Sequence, residues 1–110
     1  MEALVDGDAE VFAALGDATR RRLLDLLTLH GEATATTLAT QLPISRQAVV
    51  KHLGTLTRAG LVHGRRRANE VRYSVCPDRL EAAARRMARI ASDWESRLAA
   101  IKRIAEELTE

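Results

Sequence analysis

The residues from 80 to 108 place an apolar side chain at every third or fourth position without interruption. Their spacings alternate strictly between four and three: Leu80, Ala84, Met87, Ala91, Trp94, Leu98, Ile101, Ala105 and Leu108. That pattern predicts one helix over 78–108, with Asp78 as its cap, roughly 45 Å long. A small core cannot cover so long a stripe, which predicts pairing with a second copy. The alternatives are packing of the first half within one chain, or a small-molecule pocket at Trp94.

Length and composition favour a single helical domain. The chain has 110 residues, which suits one domain. Only Phe12, Tyr73 and Trp94 are aromatic, so the core must consist mainly of Leu, Val, Ile and Ala. No apolar run reaches the ~18 residues that span a bilayer, and MEALVDGDAE does not resemble a signal peptide. Cys76 is the single cysteine, so we expect a cytoplasmic protein that does not bind membranes.

Charge is distributed unevenly along the chain. Residues 1–19 carry five acids and no Lys or Arg, whereas residues 20–76 carry ten basic and three acidic residues, a net charge of +7. Residues 77–110 carry seven of each sign. A basic middle segment predicts contact with a polyanion such as nucleic acid. The alternative is a solvated surface with uneven charge.

Helix start and stop signals divide the segment before residue 60. A first helix over about 8–15 ends at Gly16, and Asp17 then caps a second helix that ends at Gly31. A third helix over about 35–42 is broken by Pro43. Ser45 caps the next helix, which Gly60 ends. Two helices separated by three residues predict a helix-turn-helix over about 35–59.

Residues 61–76 change to an alternating period. The segments LVHGRRR and EVRYSV flank a polar tip at residues 67–70, and Val71, Tyr73 and Val75 alternate with polar residues. This pattern predicts a two-stranded hairpin. The predicted fold class is therefore mostly α with a small β-hairpin and a long C-terminal dimerisation helix. The helix predicted over about 8–15 is expected to lie beside this C-terminal helix and to share the dimer interface. The predicted dimer contacts are Val11, Phe12, Leu15, Leu80, Met87, Trp94, Leu98, Ile101 and Leu108.

The helix that begins at Ser45 has two chemically different sides. Val49, Leu53 and Leu56, joined by Ala48, His52 and Ala59, form an apolar side. The other side presents groups that read or contact DNA: Arg for guanine, Gln for adenine, Val for the thymine methyl and Lys for phosphate. The alternative is an ordinary amphipathic surface helix. The predicted DNA contacts are Ser45, Arg46, Gln47, Val50, Lys51 and His52.

The hairpin adds a second set of positive charges. Arg65, Arg66 and Arg67 are consecutive, and Arg72 lies on the return strand. We expect these four arginines to contact DNA, with the three consecutive ones forming a contiguous patch that acts mainly through charge. The alternative is a charged hairpin that only keeps the strand edges soluble.

The run SRQAVVKHLGTLTRAGLVHGRRRANEVRYSV resembles the winged-helix domain of ArsR/SmtB-type bacterial transcriptional regulators, and FAALGDATRRRLLDLL resembles that family's opening. Val50 stands where the family pattern has a second serine. The resemblance covers about residues 9–108. It implies a winged helix-turn-helix in a homodimeric repressor that binds a palindromic operator. It also implies a structural or phosphate-directed role for His52.

The residues do not match the metal sites of that family. Thr34 and Thr36 stand where one family site has cysteines, and the last helix contains no histidine. Asp93 and Glu95 diverge around the helix, and His30, His52 and His63 are scattered. We therefore expect no metal ion and no cofactor, and the effector is left open.

The leading prediction is a regulator that binds double-stranded DNA, with three alternatives. The first is a winged helix that docks a protein partner without binding DNA. The second is a regulator of the same family that responds to a small molecule or, through Cys76, to redox state. The third is an enzyme, which we do not expect, because the acids are scattered and no nucleophile is grouped with a base.

Overall fold

The computed structural model describes residues 6–109. The first five residues, which include Glu2 of the acidic start and half of the segment MEALVDGDAE, lie outside the described part, as does Glu110. Five helices and three strands follow in order: α1 Asp6–Leu15, α2 Ala18–His30, β1 Ala33–Thr34, α3 Ala35–Ala39, α4 Arg46–Arg58, β2 Val62–Arg67, β3 Glu70–Val75 and α5 Pro77–Leu108. The described chain extends over 72 × 25 × 21 Å.

The corner between α1 and α2 is fixed by side chains at the start of α2. The Asp17 carboxylate accepts the backbone N–H groups of Thr19 at 2.8 Å and Arg20 at 3.1 Å, which confirms the predicted cap. The guanidinium of Arg20 donates to the carbonyls of Ala13 and Ala14 at 3.2 and 2.6 Å. These bonds satisfy carbonyls at the end of α1 that no helical N–H can reach.

The Asp17 cap makes stability depend on pH. Its pKa is lowered from the ordinary 3.8, chiefly by the Arg20 backbone N–H; the Thr19 N–H and the charges of Arg20 and His52 act in the same direction, whereas burial opposes them. The cap's stabilisation is therefore present above the unfolded-state pKa and is lost as pH falls through the lower folded-state pKa. We expect Asp17→Asn, which keeps an acceptor but does not titrate, to flatten the loss of stability below about pH 4. Urea unfolding at several pH values tests this, and parallel pH profiles for the two proteins would contradict it.

The helix-turn-helix forms as predicted, with two differences at its edges. Ser45 caps α4 by accepting the Ala48 N–H at 3.1 Å. However, α3 ends at Ala39 rather than near residue 42, although Leu42 is still buried in the turn. Ala33–Thr34 pairs with β3, so the sheet has three strands in the order β1-β3-β2 instead of two. A strand of two residues is too short to show periodicity in a sequence.

The hairpin tip is tighter than the sequence suggested. Arg67 pairs with Glu70, so the turn contains only Ala68 and Asn69, and Ala68 adopts a φ of 55°. Side chains alternate between the two faces of the sheet. Gly64, Arg66, Val71 and Tyr73 share one face, called here the cleft face; Arg65, Arg67, Glu70 and Arg72 share the other, the outer face. The three consecutive arginines therefore do not form the single patch that was expected.

The core is aliphatic, as the composition required. Its largest fully buried side chains are Leu23, Leu27, Leu38, Leu53, Leu56, Leu61, Val11 and Val49. Val11 corrects a prediction, because its side chain is 1% exposed within its own chain and has no surface left for a partner. Phe12 and Leu15 are only partly buried against this core.

Polar contacts join the buried Ala83 in holding α5 against the rest of the chain. Asp8 of α1 is buried and forms an ion pair with Arg86 of α5. Arg79 donates from Nη1 to the Ala59 carbonyl at 3.0 Å at the end of α4. Gly60, with a φ of 77°, lies directly against Arg79, and a Cβ there would sit 2.6 Å from the Arg79 Cδ. The end of α4 and the first turns of α5 therefore form one packed joint.

The start of α5 differs from the prediction. Cys76 occupies the cap position without a side-chain hydrogen bond, Pro77 begins the helix, and Asp78 lies in the first turn instead of capping it. Pro suits this position because the first helical N–H has no partner in any helix. None of the described helices is long and apolar enough to cross a membrane.

Candidate nucleic-acid interface

The helix α4 separates a buried side from an exposed polar side. Val49, Leu53 and Leu56 are each 0% exposed, and they fix the rotation of the helix on the core. Arg46, Gln47, Val50 and Lys51 are all exposed on the opposite side. The four residues thus lie together on one accessible surface, called here the α4 surface. Ser45 is exposed too, at the start of the helix.

A cleft of about 480 Å³ lies between α4 and the wing. Its residues come from β1, the start of α3, α4, the hairpin turn and β2 and β3, with Glu70 reaching it from the end of the outer face: Thr34, Ala35, Thr36, Thr37, Arg46, Val50, Arg66, Asn69, Glu70, Val71 and Tyr73. Two arginines, three threonines and Asn69 give this cleft many hydrogen-bond donors, and Glu70 is the single acid in its lining. Donors of this kind suit phosphate oxygens and the acceptor groups of base edges.

Thr36 is a residue of this surface that the sequence reasoning considered only as a missing metal ligand. The Arg46 Nε donates to its Oγ1 at 3.1 Å, across the turn between α3 and α4. The bond orients a flexible side chain that was predicted to read bases. The spacing of ten residues between Thr36 and Arg46 gives no local signal in the sequence, because the tertiary fold alone brings them together.

His52 lies on the core side of α4 rather than on the α4 surface. Its ring is half-buried, and its Nδ1 lies 3.5 Å from the Arg20 Nη1. A guanidinium only donates, so Nδ1 is the acceptor in this contact. Arg20, already bonded to the end of α1, thereby links His52 to the corner between α1 and α2.

The four wing arginines have different surroundings. Glu32 lies 3.6 Å from both Arg65 and Arg72, and Glu70 lies 3.3 Å from Arg72. Arg66 lines the cleft, and Arg67 is exposed at the tip. The sequence alone did not distinguish the surroundings of the four arginines, because these depend on strand register and on Glu32, a loop residue 33 positions before Arg65.

The predicted dimer stripe is exposed along α5. Met87 is 39% exposed, Trp94 45%, Leu98 59%, Ile101 60% and Leu108 81%, whereas Leu80 is half-buried against the core. Ile104 beside the stripe is 57% exposed. The Arg97 guanidinium lies 5.3 Å from the centre of the Trp94 ring. Apolar side chains exposed in a continuous row are typical of a surface that a partner covers.

Thr34 and Thr36 have local roles in the part of the chain that the structure describes. Thr34 caps α3 by accepting the Thr37 N–H at 3.1 Å, and Thr36 accepts from Arg46. The His30 Nε2 lies 3.1 Å from the Gln41 Oε1. Within residues 6–109 no three His, Cys, Asp or Glu side chains lie close enough together to hold a metal ion.

The fold and this surface together define a winged helix-turn-helix DNA-binding protein, and similar proteins agree. The model of a family described as a helix-turn-helix domain matches residues 15–65. An ArsR-like transcriptional regulator from Rhodococcus sp. RHA1 is 45% identical, with a TM-score of 0.80, over 90% of this chain and 92% of that chain. The transcriptional repressor SdpR from Bacillus subtilis (strain 168) is 37% identical over 65 residues, which are 59% of this chain and 71% of SdpR.

A third similar protein is described as a dimer. It is the homodimeric winged helix-turn-helix DNA-binding domain (fragment 1–100) of a possible ArsR-family transcriptional regulator from Mycobacterium bovis. It is 26% identical, with a TM-score of 0.63, over 84% of this chain and 91% of that chain. The chain therefore belongs to the ArsR family of winged helix-turn-helix transcriptional regulators.

Proposed function

We propose that this regulator is a homodimeric repressor that binds a palindromic operator in the cytoplasm and does not respond to metal ions. The observation that carries the proposal is the presence of two exposed surfaces on one chain. The α4 surface and the cleft present DNA-binding groups, and the α5 stripe presents an apolar row. A two-fold dimer would present two α4 surfaces, and such a dimer reads two inverted half-sites.

Each part of the proposal has its own support. Repression is supported by the similar protein named a transcriptional repressor, and dimerisation by the one described as homodimeric. The lack of a metal response is supported by the two threonines at the family's cysteine positions, both engaged in hydrogen bonds that order α3 and Arg46. Hydroxyls are weak ligands for the soft metals that thiolates bind.

The α4 surface would supply base readout, and the flanking groups would supply phosphate contacts. Arg46 and Gln47 can each form paired hydrogen bonds to a purine, and Val50 can contact a thymine methyl group. Lys51 and the Nε2–H of His52 would donate to phosphates, as would the wing. Ser45 would hold the start of α4 in place and offer its hydroxyl proton.

Footprinting on the DNA upstream of the chain's own gene would locate the operator, and two substitutions then test the readout. We expect Arg46→Ala or Gln47→Ala to weaken operator binding by about 1–3 kcal/mol and to relax specificity at particular base pairs, because each removes a bidentate contact. Binding to random-sequence DNA should fall much less. Fluorescence anisotropy with both DNA types measures this difference.

Arg103→Ala is the matched control, because it removes the same charge from the side of α5 opposite the apolar stripe. Equal losses on operator and random DNA would show that Arg46 and Gln47 contact only the backbone. A chain that protects no DNA at all would instead favour the protein-docking alternative.

A further inference from the structure

Glu32 joins the wing to the loop that precedes β1. Its Oε2 lies 3.6 Å from the Arg65 Nη2, and its Oε1 lies 3.6 Å from the Arg72 Nη1. The second terminal nitrogen of Arg72 donates to Glu70 at 3.3 Å. Arg65, Arg72 and Glu70 all lie on the outer face of the sheet. We call these four side chains the wing quartet.

The wing quartet has no net charge, whereas the two other wing arginines are uncompensated. Arg66 lies on the cleft face and Arg67 on the outer face at the tip, and neither lies within ion-pair distance of a carboxylate of residues 6–109. Of the four wing arginines that were predicted to contact DNA, two therefore already lie beside carboxylates. The positive charge of the wing is concentrated at Arg66 and Arg67.

We propose that Glu32 is a positioning residue that divides the wing arginines into two classes. Arg66 and Arg67 bind phosphates, and Arg65 and Arg72 hold the wing in position through Glu32. The inference rests on the proposed DNA-binding function and adds a role for an acidic residue. An acid so placed limits the phosphate contacts that the wing can make, and thus lowers the affinity for DNA of any sequence.

A phosphate could bind Arg65 or Arg72 only by displacing Glu32 from that arginine. The Glu32 carboxylate would then lose its ion-pair partner while lying close to a polyanion. The repulsion would offset the new contact. An arginine already neutralised by a carboxylate also attracts few anions from solution. Its replacement should therefore change the salt dependence of binding far less than replacement of a free arginine.

Salt titrations of binding to a random-sequence duplex test the division. We expect Arg66→Ala and Arg67→Ala each to reduce the slope of log K against log salt by about 0.9 per protomer, which is about 1.8 for a bound dimer. Arg65→Ala and Arg72→Ala should each reduce it by less than about 0.3. Circular dichroism of each variant checks that the fold is kept.

Glu32→Gln provides the opposite test, because it keeps the shape but removes the charge. For each arginine released, the ratio of affinities at about 50 and 200 mM salt should increase roughly 3.5-fold, which is a slope change of about 0.9 over a fourfold change in salt. Glu32→Asp should keep the wild-type slope. Glu81→Gln, an exposed acid on α5, controls for the change in net charge.

Two results would overturn the proposal: equal slope losses for all four arginine variants, or the same small change for Glu32→Gln and Glu81→Gln. Both results require that the wild-type protein binds DNA, so either one would reject only the role of Glu32 and not the proposed DNA binding. A wild-type protein without measurable affinity for any DNA would reject the proposed function as well.

Discussion

Changing Leu98 and Ile101 together to glutamate is expected to convert the protein into a monomer that no longer binds its operator. Both side chains are about 60% exposed in the single chain, so the substitutions leave its own core intact. In the proposed dimer each lost apolar burial costs about 1.5–3 kcal/mol. Placing a carboxylate in the interface adds a further penalty. Sedimentation velocity would measure the change in mass, and Trp94 fluorescence would report the change in solvent exposure.

Leu29→Glu is the matched control for this prediction. Leu29 is 78% exposed, but it lies near the end of α2 and outside the stripe. We expect this variant to remain dimeric and to bind the operator as the wild type does. A stable dimer of the Leu98 and Ile101 double variant would mean that another surface forms the interface.

Arg86→Met is expected to destabilise the folded protein by about 3 kcal/mol, because it leaves Asp8 charged and unpaired between α1 and α5. Asp8 is 5% exposed, and the Arg86 side chain is 27% exposed, so water can replace only part of the lost interaction. Urea unfolding monitored by circular dichroism, at one fixed protein concentration, measures the effect. The concentration must be fixed because dimerisation contributes to the apparent stability.

Two further variants separate the ion pair from the general loss of an arginine. Arg85→Met changes the exposed neighbouring residue and should alter stability by less than about 0.5 kcal/mol. The double variant Asp8→Leu with Arg86→Met removes both charges and should recover most of the lost stability. A double variant as unstable as Arg86→Met would show that packing, rather than the unpaired Asp8, determines the loss.

In the proposed dimer, the packing of α5 on the rest of the chain connects dimerisation to DNA binding. The apolar stripe on α5 would set the distance between two copies, and the Asp8–Arg86 and Arg79–Ala59 contacts hold α5 at a fixed angle to α1 and α4. Half-sites on one side of a duplex repeat about every 34 Å. A joint that lets α5 rotate would misplace the second α4 surface relative to its half-site. Stability of this joint and operator affinity should therefore change together.

Local chemistry was enough to predict most of the helices. Asp17 and Ser45 are short polar residues whose side-chain oxygens can bond N–H groups two or three positions later, so their role follows from neighbouring residues alone. Gly31 and Gly60 adopt φ values of 81° and 77°, which other residues rarely reach. The spacing of Val49, Leu53 and Leu56 likewise determined which side of α4 is buried and which is exposed.

Only the tertiary structure decided the contacts between distant parts of the chain. The third strand, the Thr36–Arg46 bond and the pairing of Glu32 with Arg65 and Arg72 join residues that share no local pattern. The spacing of Val11, Phe12 and Leu15 shows that these residues share one face of α1, but it does not show which element covers that face. Val11 was therefore predicted at the dimer surface, although its own chain buries it. Periodicity and capping depend on residues that are only a few positions apart, so both can be predicted directly from the sequence. The division of the arginines depends on strand register and loop position, which only the folded chain fixes.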